Sequence, residues 1–304
     1  MRAPRALIPL VAVCGAGVVV ALAGAGAAIE KSPALGSTDA GKTQPLTAAG
    51  PLAVNVVTWD VCGDAEPGCP LGSDSAGLVR RIDRQLGTTT VAGKAVQADA
   101  LLLQRVCSEQ VRSLKGLGRL KSWSWIFTPQ PAADDRSPRA CVNGQGKLGL
   151  AVATRKPITD VRHANLPSQP GHGRVAVCGT VQAWSARVCT AQLSSSDPGD
   201  DPDGAWRAKQ AQTLLGLADA DRVIIGGDFT DKPRAKSLDA FYSVYTECGG
   251  DRTGAPTSQD ASGKATDKTD YLFASHSATL TCTVPPTPVR SSNHRPITAT
   301  IHFT

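Results

Sequence analysis

The sequence predicts an α/β fold in which two β-sheets pack face to face and helices cover their outer sides. Beyond residue 50, short runs of apolar and β-branched residues alternate with a few segments of helical spacing. Many strands with few helices favour this arrangement. The composition agrees, because 304 residues with 41% apolar and 19% charged side chains can bury a sizeable core.

Apolar runs predict nine strands. Residues 54–59 are nearly all apolar, which indicates a strand buried on both faces. Residues 174–181 and 187–193 flank a short polar stretch and suit a hairpin. The other predicted strands are residues 100–104, 148–154, 222–226, 271–274, 280–284 and 297–303.

Apolar residues at helical spacing predict three helices. The first has Ser75 as its candidate N-cap and Gly87 as its stop. The second is capped by Ser108 and ends at Gly118, and the third covers residues 211–218. The apolar residues on the three helical faces are Leu78, Val79, Ile82 and Leu86, then Val111, Leu114 and Leu117, then Ala211, Leu214, Leu215 and Ala218.

The first 28 residues have the pattern of an export signal. Arg2 and Arg5 precede a long Ala/Val/Leu/Gly run that ends in Ala25-Gly26-Ala27, a small-residue cleavage pattern. The apolar run is also long enough for an uncleaved membrane anchor. We therefore expect either a secreted protein or one anchored to the outer face of the cytoplasmic membrane. Residues 29–50 have the composition of a flexible linker, and residues 51–304 form the predicted domain.

Eight cysteines follow Cys14, and an even number in an exported chain predicts up to four disulfides. Cys178 and Cys189 lie on the two arms of the predicted hairpin, so they are expected to pair. Cys248 and Cys282 flank the last strands and form the next expected pair. Cys62, Cys69, Cys107 and Cys141 remain, and of their three possible pairings we favour Cys62–Cys69 with Cys107–Cys141. No Cys-x-x-Cys pair occurs, which disfavours a zinc site.

Six segments between residues 58 and 297 carry motifs. They are Thr58-Trp59-Asp60-Val61, Leu103-Gln104-Arg105-Val106, Thr190-Ala191-Gln192-Leu193, Gly226-Gly227-Asp228-Phe229-Thr230, Thr269-Asp270-Tyr271-Leu272-Phe273 and Ser292-Asn293-His294-Arg295-Pro296-Ile297. In order, they resemble the motifs T-W-N-V, L-Q-E-V, T-x-H-L, G-G-D-F-N, I-D-Y-I-F and S-D-H-R-P-V of the endonuclease/exonuclease/phosphatase family. The resemblance covers residues 52–304 and implies a four-layer α/β sandwich of two packed mixed β-sheets flanked by helices.

The resemblance also implies a chemistry. In the family, the Glu of the second motif holds Mg²⁺, and the first-motif Asn and last-motif Asp complete the metal region. The G-D-x-N Asp orients or deprotonates the attacking water, its Asn partner binds phosphate, and the I-D-Y Asp orients the last-motif His.

This chain keeps three of these eight positions, namely Asp228, Asp270 and His294, which are its candidate catalytic residues. The substituted positions are Asp60 for Asn, Arg105 for Glu, Gln192 for His, Thr230 for Asn and Asn293 for Asp. The charged guanidinium of Arg105 cannot ligate a cation. Bringing a divalent cation within ~4 Å of it would cost roughly 8 kcal/mol at an effective dielectric near 20. The metal positions Asp60 and Arg105 are therefore degraded, and no cofactor is expected.

Two functions remain open. The first is a catalytically impaired or inactive protein whose cleft retains an anion-binding capacity through Arg105, Gln192, Thr230 and Asn293. The second is an altered phosphodiesterase, nuclease or phosphatase that uses Mg²⁺ or Mn²⁺ with the three retained residues. A formal net charge of +6 permits an anionic or phosphate-containing ligand, nucleic acid included, without requiring one. We expect a monomer.

Overall fold

The computed structural model describes residues 50–132, 137–250 and 252–304. Its strands are β1 (Leu52–Asp60), β2 (Thr90–Val91), β3 (Lys94–Ala95), β4 (Ala100–Cys107), β5 (Ser124–Pro129), β6 (Leu148–Thr154), β7 (Thr159–Leu166), β8 (Arg174–Val181), β9 (Ala186–Gln192), β10 (Val223–Asp228), β11 (Tyr245–Glu247), β12 (Asp270–Ser275), β13 (Ala278–Thr283) and β14 (Ile297–Phe303). Its α-helices are α1 (Ser75–Gly87), α2 (Ser108–Lys115), α3 (Ala205–Leu217) and α4 (Asp239–Val244).

Two six-stranded mixed sheets form the body of the molecule. The first has the strand order β13-β14-β1-β4-β6-β5 and the second the order β11-β12-β10-β9-β8-β7. Each contains one parallel pair at its centre, β1 with β4 and β9 with β10, among antiparallel neighbours. The prediction of two packed mixed sheets flanked by helices is confirmed.

Three apolar clusters hold the sheets and helices together as layers. The cluster between the sheets includes Val56 and Leu102 from the first sheet and Val188 and Ile224 from the second. A second cluster joins α1 and α2 to the outer face of the first sheet, and a third joins α3 and α4 to the outer face of the second sheet. Strands that are covered on both faces need continuous apolar runs, as the sequence of β1 shows.

At Gly226, strand β10 packs closely against the opposite sheet. A Cβ placed there would lie 2.7 Å from Leu102 Cδ1 and 2.8 Å from Thr58 Cβ, both in the opposite sheet. Glycine at this position therefore serves close packing rather than an unusual backbone angle.

The helix ends differ from the sequence predictions by a few residues. The N-cap of α1 is Asp74, whose side chain accepts a hydrogen bond from the Gly77 amide, and Ser75 is the first helical residue. Cys107 rather than Ser108 precedes α2, which ends at Lys115 before Gly118. Residues that favour caps thus locate the ends only approximately: Asp74 competes with Ser75 for the same role, and α2 begins directly after a disulfide-bonded cysteine.

Several elements were not predicted. Strand β7 is exposed along most of its length, so it lacks the apolar signal that a buried strand shows. The short pieces β2, β3, β11 and α4 contain two, two, three and six residues, too few to show a period.

The eight cysteines of the described part form four disulfides. Their partners are Cys62–Cys69, Cys107–Cys141, Cys178–Cys189 and Cys248–Cys282. Cys178 and Cys189 face each other directly in the β8–β9 register, with Cα atoms 4.0 Å apart. The Cys248–Cys282 bond joins the residue after β11 in the second sheet to β13 in the first sheet.

The predicted signal or anchor in residues 1–28 lies outside the described residues, as does the predicted linker except for Gly50. Among the described residues, no helix is long and apolar enough to cross a membrane.

Candidate functional site

The ends of the central strands bring the motif residues together. In the first sheet, Asp60 at the end of β1 aligns with Gln104 of the parallel strand β4. In the second sheet, Asp228 at the end of β10 aligns with Gln192 of β9 on one side and with Asp270 of β12 on the other. Since the two sheets pack face to face, these rows meet at one mouth of the sandwich.

A β-bulge positions Arg105. The β4–β6 register shifts between Leu103 and Val106, and Arg105 has a φ of 47°, in the left-handed region. Bulges of this kind redirect side chains at strand ends. As a result, Gln104 turns inward and hydrogen-bonds Thr58 and Thr190, whereas Arg105 turns into the mouth.

Arg105 forms an ion pair with Asp60. Its Nε lies 2.7 Å from both carboxylate oxygens of Asp60, and its Nη2 donates to Asn293 Oδ1 at 2.8 Å. Asp60 is fully buried, and it also accepts a hydrogen bond from the Cys62 amide at 3.0 Å. The acceptors of Asp60 are therefore engaged by protein donors.

Gln192 and Thr230 are less available to a ligand than the sequence predicted. The Gln192 amide nitrogen lies 3.3 Å from Asp60 Oδ2 and 3.3 Å from Asp228 Oδ2, so it bridges the two carboxylates. The Thr230 hydroxyl donates to the Ser194 carbonyl, and the Thr230 amide donates to Asp228 Oδ1 at 3.0 Å. Both residues line the mouth, but the hydrogen-bond donors named above are bound to oxygen atoms of the protein.

His294 is held on three sides. Its Nδ1 lies 2.8 Å from Asp270 Oδ2, its amide donates to Ser292 Oγ at 3.0 Å, and its carbonyl accepts from Trp59 Nε1 at 3.0 Å. Asp270 is 1% exposed and His294 is 8% exposed. The ring orientation is thus fixed, which leaves Nε2 as the atom that can meet a ligand.

The charges of the site depend strongly on one another. Burial opposes the charge of His294, but the carboxylates of Asp270, Asp60 and Asp228 together raise its pKa to about 9. Burial raises the pKa of Asp228 to about 7, with Asp270 and Asp60 adding to the effect against His294 and Arg105. Burial also acts on Asp60, but the charge and hydrogen bond of Arg105 outweigh it and hold the pKa of that carboxyl below its usual range. Near neutral pH the site therefore holds two cations, Arg105 and the His294 imidazolium.

Asp60, Asp228 and His294 could in principle surround a cation, since their potential ligand atoms lie within 4.8 Å of one another. The donor set does not fit Mg²⁺ as it stands. Both oxygens of Asp60 lie 2.7 Å from Arg105 Nε. A divalent ion would therefore have to displace that guanidinium or lie beside it. A protonated imidazole, moreover, offers no lone pair to a metal.

A cavity of about 430 Å³ opens over these residues. Besides Arg105, its wall includes Arg139, Arg174 and Glu66, which the sequence reasoning missed. The expected disulfides could have indicated two of them, Glu66 and Arg139. Glu66 lies inside the Cys62–Cys69 loop that follows β1, and Arg139 is two residues before Cys141, whose partner Cys107 is two residues after Arg105.

The fold is similar to solved structures of the endonuclease/exonuclease/phosphatase family. One such protein from Bacteroides thetaiotaomicron has a TM-score of 0.62 and 15% identity, covering 84% of this chain and 97% of that one. The human Nocturnin catalytic domain with bound sulfate has a TM-score of 0.61 and 16% identity, covering 83% and 94%. A mannosyl-6-phosphatase from Bacteroides thetaiotaomicron has a TM-score of 0.54 and 14% identity, covering 82% and 99%.

At such identities the likeness shows the fold, and the resemblance to the family's fold is confirmed. No protein-family model and no curated protein sequence matches the chain.

Proposed function

We propose that this nuclease/phosphatase-like protein binds a phosphate-bearing or other anionic ligand in the cleft over Arg105 and His294, without metal-dependent turnover. The observation that carries the proposal is the Arg105–Asp60 contact, with Nε 2.7 Å from both carboxylate oxygens. It puts a permanent cation where the resembled family needs a metal ligand. A guanidinium and an imidazolium at one mouth are suited to phosphate oxygens, because both donate charged hydrogen bonds.

Retained acid–base residues do not by themselves restore the chemistry. A pKa of about 7 suits Asp228 to act as a base, but phosphodiester cleavage in the resembled family also needs a metal that activates the water and neutralises charge on the phosphoryl oxygens, and the Arg105 guanidinium lies against Asp60 at that position. The Gln192 amide contacts both Asp60 and Asp228, and it offers no proton-transfer group where the family has a His. The cleft is therefore better equipped to hold an anion than to cleave it.

The altered phosphoesterase is kept as a second candidate, because Asp60, Asp228 and His294 can bring their ligand atoms within 4.8 Å of one another. If a substrate phosphate drew Arg105 away from Asp60, those atoms would become available to Mg²⁺ or Mn²⁺.

Hydrolysis and binding assays on wild type separate the two candidates. Plasmid DNA, bis(p-nitrophenyl) phosphate and p-nitrophenyl phosphate are incubated with Mg²⁺, Mn²⁺ or EDTA, and inorganic phosphate binding is measured by calorimetry in EDTA. We expect phosphate binding and no hydrolysis above the buffer rate. Metal-dependent hydrolysis that His294→Ala abolishes, and that the exposed-site control His302→Ala retains, would establish the phosphoesterase instead.

We also propose export. The support is the signal-like segment before residue 29 together with four disulfides, which suit an oxidising compartment. Mass spectrometry of the protein recovered from its native host tests this: an N-terminus near residue 29 indicates cleavage, and an intact residue 1 in a membrane fraction indicates an anchor. Recovery in the cytoplasm would rule export out.

A further inference from the structure

Glu66 lies between two guanidinium groups in the wall of the cleft. Its Oε1 forms a close ion pair with Arg139 Nη2, and its Oε2 lies 3.9 Å from Arg105 Nη1. The second contact is too long for a hydrogen bond. The other contact of that Nη1, to Cys69 Sγ, is also 3.9 Å long. Among the residues that the structure describes, no oxygen therefore lies close to Nη1 of Arg105, a residue that lines the cavity.

The backbone around this arrangement is rigid. The buried carboxylate of Asp64 accepts hydrogen bonds from the amides of Ala65, Val142 and Asn143, at 2.8, 2.9 and 3.0 Å. It thus ties the loop that carries Glu66 to the segment that follows Arg139. The Cys62–Cys69 and Cys107–Cys141 disulfides close the same two segments. The backbone that carries Arg105 and Arg139 is consequently in place before any ligand arrives, which lowers the entropic cost of binding.

The side chains themselves can still rearrange. Glu66 is 24% exposed and Arg139 is 39% exposed, whereas Arg105 is 14% exposed. Because water reaches part of both side chains, the Glu66 carboxylate can exchange Arg139 for water at a cost of about 1 kcal/mol, near the upper end of the range for exposed ion pairs. Both guanidinium groups would then face the space that the Glu66 carboxylate leaves.

We propose that Arg105 and Arg139 form a subsite for the terminal phosphate of a phosphate monoester, and that Glu66 occupies this subsite as an internal competitor until the ligand displaces it. This inference rests on the proposed function and names its ligand class. A carboxylate that bridges two guanidinium groups shows where a tetrahedral oxyanion can accept from both.

The charge and shape of the subsite favour a monoester over an internal phosphodiester. A monoester presents three terminal oxygens and nearly two negative charges at neutral pH. A phosphodiester presents two free oxygens and one negative charge. The Glu66 carboxylate already places one negative charge beside these arginines. Only the dianion gains charge by the exchange.

The experiment compares wild type with Glu66→Gln, which removes the competing charge and keeps the side-chain shape. Binding of inorganic phosphate, phenyl phosphate and a dithymidine phosphodiester is measured by calorimetry at pH 7.5, constant ionic strength and in EDTA. We expect Glu66→Gln to bind phosphate and phenyl phosphate about tenfold more tightly than wild type, since one like charge beside the ligand is removed. The phosphodiester should change by less than about threefold.

Matched variants isolate the effect. Glu109→Gln removes the same charge from the exposed Arg112–Glu109 pair, with 2.6 Å between its charged atoms, and is expected to bind like wild type. Arg139→Gln added to Glu66→Gln is expected to return the affinity to the wild-type value or below. Glu66→Ala provides a second test of the same charge removal should Glu66→Gln unfold.

The outcomes are separable. If wild type binds phosphate and Glu66→Gln binds it no more tightly than Glu109→Gln does, the competitor role is wrong and the proposed function stands. Equal tightening for the phosphodiester contradicts the monoester assignment. If neither wild type nor the Glu66 variants bind phosphate, the proposed function fails together with the subsite.

Discussion

At the scale of single residues, Arg105 changes what the mouth of the sandwich can do. Its side chain is 14% exposed and that of Asp60 is 0% exposed, so the two charges depend on each other for solvation. A buried pair of this kind is costly to break, because the remaining charge has neither water nor a partner. The guanidinium is thus a structural necessity for Asp60 as well as a candidate ligand for anions.

The first prediction follows from that dependence. Arg105→Gln should lower the free energy of unfolding by about 3 kcal/mol at pH 7, since it leaves the Asp60 carboxylate unpaired. Asp60→Asn combined with Arg105→Gln should recover part of the loss. Urea unfolding measures both. The control is Arg112→Gln, whose side chain is 78% exposed and whose loss should cost less than about 0.5 kcal/mol. If Arg105→Gln and Arg112→Gln lower the free energy of unfolding equally, the buried pair contributes no more to stability than the exposed pair.

The second prediction concerns pH. The pKa of His294 rises from 6.5 to about 9 in the folded protein. A raised value means that the stabilisation is complete below pH 6.5 and is lost as the pH rises through 9. The raised pKa of Asp228, about 7, acts in the same direction at lower pH, because the folded state holds that proton more tightly.

We therefore expect the free energy of unfolding of wild type to fall by roughly 2 kcal/mol between pH 6.5 and pH 9. His294→Gln should remove most of this slope, and His302→Gln, on an exposed position, should keep it. Urea unfolding at several pH values gives the slopes. A wild type whose stability is level or rising across this range would refute the charge assignment at His294.

Residue-level prediction from sequence had a clear limit. The family resemblance groups Asp60, Arg105 and Asp270 in one site, whereas their strand positions differ, since Asp60 and Arg105 follow predicted strands and Asp270 precedes one. The bridging geometry of Gln192 could not be derived, since it depends on how far β9 and β1 lie apart across the two sheets. The arrangement of Glu66 and Arg139 needed the pairing of two disulfides as well.

At the scale of elements, the disulfides and the close packing of strands determine how firmly the site is held. The Cys248–Cys282 bond links strands of different sheets over a separation of 34 residues, whereas Cys178–Cys189 spans 11 residues within one hairpin. In the chain-entropy account, a longer closed loop restricts the unfolded state more.

The third prediction compares these bonds. Cys248→Ala/Cys282→Ala should destabilise the protein by about 3–4 kcal/mol, and Cys178→Ala/Cys189→Ala by about 1 kcal/mol less. Urea unfolding of the two double variants measures the difference. Peptide mapping of the oxidised wild type should recover all four pairs, and a hairpin variant that loses more stability than the inter-sheet variant would contradict the ranking.

The fourth prediction concerns the contact between the sheets. Gly226→Ala should destabilise the fold by about 1–3 kcal/mol, because the new methyl group would overlap Leu102 and Thr58. Gly118→Ala is a suitable control, since a Cβ at that loop position meets nothing within 4 Å. Thermal unfolding of the two variants is sufficient, and a harmless Gly226→Ala would mean that the sheets can separate slightly at this point.

Element prediction succeeded where burial was continuous. Strands such as β1, β6 and β10 have both faces covered, so their apolar runs were visible in the sequence. Strand β7 has most of its residues exposed and gave no such signal. The two N-caps lie one residue before the predicted ones, at Asp74 and Cys107. Asp74 is as favourable a capping residue as Ser75, whereas a disulfide-bonded cysteine such as Cys107 gives no capping signal in the sequence.

At the scale of the whole molecule, the layers match those of solved endonuclease/exonuclease/phosphatase structures, but the charged groups at the mouth differ from those of the resembled motifs. Fold alone does not specify activity, which depends on the groups at the site. Here a cation contacts the carboxylate that would neighbour a metal, and a second carboxylate, Glu66, contacts both Arg105 and Arg139. We therefore propose that Arg105 takes the place of the metal.

Manganese binding tests that claim most directly. Electron paramagnetic resonance can titrate Mn²⁺ into wild type and into Arg105→Glu, which puts a carboxylate beside Asp60 and Asp228. Arg105→Glu should bind one Mn²⁺ per chain, and the metal should raise its midpoint of thermal unfolding, because the ion relieves the repulsion among the carboxylates. Wild type should bind none at the same concentrations. A wild type that binds one Mn²⁺, and loses it in Asp228→Asn, would contradict the account.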